Sequence, residues 1–144
     1  IAALPKRADG GGVFRPEEGQ KYWSIVSVGD VYEGLWNDNP FNHERYAIGN
    51  CFPTRQSAED AIRVLKLIQK AREAQDGFVP DWEESEKGNY FLYFNQKVKA
   101  FRITIHFSID QAPIFGYWGD KSVCEQFIDE NRDDLIWYFT EYRR

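Results

Sequence analysis

The chain has 144 residues, the length of one ordinary domain, and its 42% hydrophobic and 28% charged residues allow a packed core and exclude wholesale disorder. A formal net charge of −5 argues against broad electrostatic capture of nucleic acid, and no apolar run is long enough to predict a membrane span. Aromatic residues reach 17% while Met is absent, so bulky rings are expected to fill the core.

Residues 1–20 combine Gly10-Gly11-Gly12 with Pro5 and Pro16, and are expected to form a flexible arm. A single α+β domain is predicted over 21–144, with regular structure beginning near Lys21. Tyr22–Val28 is β-branched and aromatic, Gly29-Asp30 supplies a turn, and Val31–Trp36 returns as a second strand. The polar stretch Asn37–His43 has the composition of a loop, followed by a third short strand over Arg45–Phe52. Thr54 is placed to cap a helix whose stripe is Ala58, Ala61, Ile62, Leu65, Ile68 and Ala71, fading near Gln75-Asp76-Gly77. An acidic, Pro-containing loop then runs to Gly88, anchored by Trp82.

The second half repeats the order: a strand over Tyr90–Phe94, a turn at Asn95-Gln96, a longer strand over Val98–Phe107, then a loop to Ile114–Trp118. Asp120 is an N-cap for a helix opened by Val123, Cys124, Phe127 and Ile128, with a break near Glu130–Asp134 and an aromatic helical end through Tyr142. Thr54, Glu59, Ala61 and Ile62 fall opposite Asp120, Glu125, Phe127 and Ile128 at one constant offset. The expectation is an α+β fold with an antiparallel sheet and two helices, built as two βββα-like repeats over 21–76 and 89–142.

Catalytic patterns are missing. His43 and His106 stand in no nucleophile motif, and Cys51 and Cys124 lack the paired spacing of a zinc site. No Gly-rich stretch sits between a strand and a helix to cradle phosphate. The chain is therefore expected to be no enzyme and to need no cofactor or metal, with its two cysteines as buried thiols in a reducing cytoplasm.

Binding candidates remain. Trp36, Asp38, Phe41, Asn42 and Arg45 crowd aromatic and hydrogen-bonding groups where the scaffold needs only a turn. Arg45 is expected to pair with Asp38, leaving Phe41 and Asn42 free at the tip. Two acidic clusters, Asp81, Glu83, Glu84 and Glu86, and Asp129, Glu130, Asp133 and Asp134, could imitate a phosphate track for a basic, nucleic-acid-handling protein. Direct binding of single-stranded nucleic acid is the alternative, with Tyr22, Tyr90, Phe91, Tyr93 and Phe94 stacking beside Lys97, Lys99 and Arg102. A nucleotide-signal pocket lined by Trp36, Arg45 and Trp118 is a third.

The series Glu18-Gly19-Gln20-Lys21-Tyr22-Trp23, Trp36-x-Asp38, Arg45-x-x-x-Gly49-Asn50-x-Phe52-x-Thr54 and Ser57-Ala58-Glu59-x-Ala61 resembles a family of small phage and prophage accessory proteins. The resemblance covers residues 16–136 and is sharpest over 18–65. It implies a phage-accessory protein in the bacterial host cytoplasm and carries over no catalytic residues. In that setting the chain would bind and inhibit a host macromolecule, as anti-CRISPR and anti-restriction inhibitors do. The segment Gly49-x-x-Phe52-x-Thr54-x-x-x-Ala58-Glu59 is also similar to the strand-to-helix joint of the plant AP2 DNA-binding module. Its first-half strands carry only Lys21 and Arg45 against Asp30, Glu33, Asp38 and Glu44, the wrong sign for entering a DNA groove.

Overall fold

The computed structural model describes residues 13–83, 88–106 and 113–142. The chain is α+β, with two antiparallel hairpins and, among the described residues, no helix long and apolar enough to cross a membrane. The described residues divide into two compact units, one over 13–65 and the other over 66–141.

In the first unit, β1 (Lys21–Ile25) pairs antiparallel with β2 (Val31–Leu35), Tyr22 opposite Gly34. The amide of Trp36 donates to the carbonyl of Gln20 and that of Gly19 to the carbonyl of Trp36, tying the segment before β1 to the end of β2. The expected arm otherwise falls on residues 1–12, which lie outside the described residues. The other edge of β1 is completed in two ways. Trp23 exchanges backbone hydrogen bonds with Phe52 at 2.9 and 2.8 Å, and the side-chain amide of Asn50 serves both backbone groups of Ile25, at 2.6 and 2.8 Å. Asn50 thereby does for one residue what a neighbouring strand would do.

Two expectations are corrected here. The stretch read as a loop opens a helix, α1 (Pro40–Ala47), and the third strand read over Arg45–Phe52 shrinks to the single bridge at Phe52. The reason is local. Asn39 accepts a hydrogen bond from the Asn42 amide at 2.9 Å, and Pro40 stands at the first helical position, where its missing N–H costs nothing. Gly49, at φ 76°, then turns the chain back toward β1.

The long helix α2 (Arg55–Gln75) follows the cap predicted at Thr54, whose Oγ1 accepts from the Ser57 amide at 3.1 Å. Its buried residues are Ala58, Val64, Leu67 and Ala71. At 100° per residue the last three lie on the side away from Ala58, so the buried face turns along the helix and Leu65, expected inside, faces water. Asp76 and Gly77, both at positive φ, stop it.

The second unit repeats the plan. The strands β3 (Asn89–Asn95) and β4 (Ala100–His106) form a hairpin with Tyr93 opposite Arg102. Trp118 exchanges backbone bonds with Tyr90 at 2.7 and 2.9 Å, as Phe52 does with Trp23. Gly116, at φ 79°, precedes that bridge as Gly49 precedes the other. Asp120 then caps α3 (Lys121–Glu130), its carboxylate accepting from the Ser122 amide at 2.8 Å and hydroxyl at 2.7 Å. Those bonds, the hydroxyl's first, hold the Asp120 carboxyl below its usual pKa. The shared unit is a hairpin, a one-residue bridge, a cap and a helix; one continuous sheet is not formed among the described residues. The expected break falls at Asn131, followed by α4 (Arg132–Trp137) and a wide helical turn over Tyr138–Tyr142. The loop read at 108–112 lies outside the described residues.

The core of this second unit is aromatic: Phe115 packs on Phe127, Tyr138 and Phe139, and Trp118 on Phe127. Trp82 meets Tyr117 edge to face, anchoring its loop as expected.

Both cysteines are buried free thiols. Burial, with a smaller contribution from Glu125, pushes the Cys124 thiol up to about 12. The unfolded thiol ionises near its ordinary value of about 8.5. Between that value and 12 the unfolded chain loses a proton that the folded chain keeps, so stability falls as pH rises through this window and is unaffected below it. At pH 8 an aromatic disulfide reagent is expected to leave the native chain unlabelled and to label both thiols in denaturant. Prompt labelling of native Cys124 would contradict this packing.

Candidate functional site

The first unit invests its buried polar chemistry in α1. Asn42 is 4% exposed, and its side chain makes three hydrogen bonds. Its Oδ1 accepts from the Tyr22 hydroxyl at 2.6 Å, and its Nδ2 donates to the carbonyl and side-chain oxygens of Asn37 at 3.0 and 2.9 Å. Arg45, one turn further on, donates to the Tyr22 hydroxyl at 2.8 Å. One network thus joins three elements: β1 through the Tyr22 phenol, α1 through Asn42 and Arg45 upon it, and the pre-helix turn through Asn37, which accepts from Asn42. Around this network Trp36 presents edges or faces to Tyr22, His43 and Tyr46, with ring centroids 6.0, 5.4 and 6.2 Å away.

The outer face of α1 carries two large exposed apolar side chains. Phe41 is 74% exposed and Ile48, at the helix end, 78%. With the exposed Glu44 between them they follow the three- and four-residue spacing of one helix face. On β2 the exposed Tyr32 adds a ring to this surface, the Arg45 guanidinium lying 5.7 Å from its centre. Exposed carboxylates of Asp38 and Glu44 stand at and beside α1, with Asp38 bonded to the His43 ring.

The structure therefore gathers Trp36, Asp38, Phe41, Asn42 and Arg45, but redistributes their work. Asn42 is a buried fastening and is not available at a tip. Arg45 bonds Tyr22 and does not pair with Asp38, which meets His43. Phe41 alone among the two tip candidates is open to solvent. Ile48 and Tyr32 were missed in the sequence; the Asn39-Pro40 cap pair was the signal that would have placed α1 and its outer face.

The acidic clusters are less distinctive. Asp81 and Glu83 are exposed, with the Glu83 amide donating to the Asp81 carboxylate, while Glu84 and Glu86 lie outside the described residues. Asp129 pairs with Arg132 at 2.7 Å and Glu130 accepts from Gln126 at 2.7 Å. Asp133 and the half-buried Asp134 occupy the first turn of α4, where the helix dipole favours acids. The stacking face is corrected. Tyr22 and Phe91 are buried, and Phe94 stacks on Phe139 at 5.7 Å and 15°, leaving Tyr93 as the exposed ring beside Arg102. Trp118, 1% exposed, is a core residue.

Compared with family models, with curated proteins and with solved structures, the chain finds no match.

Proposed function

We propose that this chain is a non-enzymatic binding protein that docks a partner protein on the outer face of α1. The observation that supports it is the pairing of two nearly bare apolar side chains, Phe41 and Ile48, with a buried hydrogen-bond network that fastens the short helix bearing them. An eight-residue helix has little stability of its own, so a network fixing it makes a pre-ordered surface. Large rings at the centre of a contact and charges at its rim are the usual anatomy of recognition. Asp38 and Glu44 place exposed carboxylates at and beside α1, so the fitting partner is basic. In the bacterial-host setting that the phage-family resemblance implies, such a partner is a nucleic-acid-handling host protein, and occupation of its basic surface is inhibition in the anti-CRISPR or anti-restriction sense.

The test compares capture from bacterial lysate by the wild-type chain, by Phe41→Asp and by charge reversal of Asp38 and Glu44. Phe41 is exposed, so Phe41→Asp should change stability by no more than about 0.5 kcal/mol. It should nonetheless lose a basic protein that the wild type retains, by tenfold or more. The charge-reversed chain should lose the same protein with a reduced salt dependence. Equal recovery by all three chains would refute docking through α1.

A further inference from the structure

The second unit carries a groove of about 830 Å³, within the size range of ligand sites, whose two walls differ in kind. One wall is the start of β4 from Ala100 to Ile103, preceded by the turn residue Lys99. The other is helix, touched at Lys121, Glu125, Ile128 and Asp129 of α3 and continued by α4. The hydrogen-bond phase of the hairpin settles what the strand wall offers. Tyr90 turns its backbone N–H and C=O away from β4 toward Trp118, so the exchanging pairs of the hairpin are Phe91 with Thr104 and Tyr93 with Arg102. The N–H and C=O of Phe101 and Ile103 therefore point out of the hairpin, along the groove. Among the described residues they have no hydrogen-bond partner.

The same alternation sorts the side chains. Phe101 and Ile103 lie on one face of β4, the face that Ile128 and Ile136 help to line across the groove, and Arg102 lies on the other. Four cations and two carboxylates surround the groove. Lys121 and Glu125 pair at 3.7 Å, and Arg132 and Asp129 at 2.7 Å, with the Arg132 guanidinium also 5.7 Å from the Phe101 ring centre. Among the described residues Lys99 meets the neutral Gln96 side chain, and no carboxylate pairs with Lys99 or Arg102. Two uncompensated positive charges thus stand on the strand wall of an otherwise acidic chain.

We infer that this groove takes an extended peptide segment of a partner protein as an added strand on β4, with apolar and acidic residues alternating. Backbone groups of the peptide complete those of Phe101 and Ile103. One side-chain set packs on the Phe101, Ile103 and Ile128 surface, and the alternate set carries carboxylates to Arg102. At about 3.4 Å per residue the four-residue strand wall holds a segment of about four or five residues. Strand addition beside a helix supplies affinity through the backbone and selectivity through alternate side chains. The site is independent of α1, so failure of one reading leaves the other standing.

The test titrates the isotope-labelled full chain with three blocked nonapeptides: alternating Val and Glu, alternating Val and Lys, and a helix-forming Ala-Leu-Glu sequence. The Val/Glu peptide should give saturable shifts confined to β4, α3 and α4, and slow amide exchange at Phe101 and Ile103 by fivefold or more. The Val/Lys peptide should bind at least tenfold more weakly, and Arg102→Glu should reverse that order. No saturable binding of the Val/Glu peptide at millimolar concentration would overturn the proposal. So would binding without protection of those two amides, or tighter binding of the helical peptide.

Discussion

Trp118→Ala is expected to cost about 3–5 kcal/mol and to lower the melting temperature by roughly 10 °C or more. Trp118 is 1% exposed, its ring lies 5.3 Å from that of Phe127, and its backbone forms the bridge to Tyr90. Truncation leaves a cavity of indole size in a core already built from large rings, which cannot collapse by small shifts. The companion substitution separates packing from polarity. Among the described residues the buried indole Nε1 has no hydrogen-bond partner, so its burial goes uncompensated there. Trp118→Phe removes that donor along with part of the ring and should cost less than about 2 kcal/mol. Phe52 already performs the matching task in the first unit, pairing with Trp23 from a buried position. Guanidinium unfolding followed by far-ultraviolet dichroism measures both variants. If Trp118→Phe were as damaging as Trp118→Ala, the orphan donor would not be a cost and the parallel with Phe52 would fail.

That parallel also shows what the sequence made legible. Caps are written in single residues, so Thr54 and Asp120 were readable, and with them the starts of α2 and α3. Hairpins were readable from β-branched and aromatic runs, and the break at Asn131 from its polar neighbours. What failed depended on tertiary context. α2 carries apolar residues on more than one side, so periodicity alone could not choose Val64 and Leu67 over Leu65. The third strand of each repeat failed because a bridge one residue long has no periodicity to detect; Asn50 completes the edge of β1 with a side chain instead. α1 was misread because Asn, Asp and Pro signal a turn and a helix start equally well. Its candidate residues were grouped correctly and their roles were not, since burial of Asn42 depends on a phenol twenty residues away in the chain.

Asn42→Ala is expected to destabilise the first unit by about 2–3 kcal/mol, an unusually large effect for a polar residue on a short helix. Three hydrogen bonds are lost, and the Tyr22 hydroxyl, itself buried, is left with the Arg45 donor at 2.8 Å but no acceptor for its own proton. Asn42→Asp is the sharper probe. The carboxylate could still accept from Tyr22, but it cannot donate to Asn37 and it places a charge in a 4% exposed position, so no rescue is expected. Tyr22→Phe deletes the hydroxyl from the other side of the bond. Because both residues act through one contact, the double variant Tyr22→Phe/Asn42→Ala should fall short of the summed single losses by about 1 kcal/mol or more. Strict additivity would mean that the two side chains stabilise the unit separately. The consequence for binding follows from the same geometry: Asn42→Ala leaves Phe41 and Ile48 chemically intact but unfastens the helix that presents them. It should weaken capture of the partner together with stability, whereas Phe41→Asp weakens capture alone, and that difference separates holding the surface from being the surface.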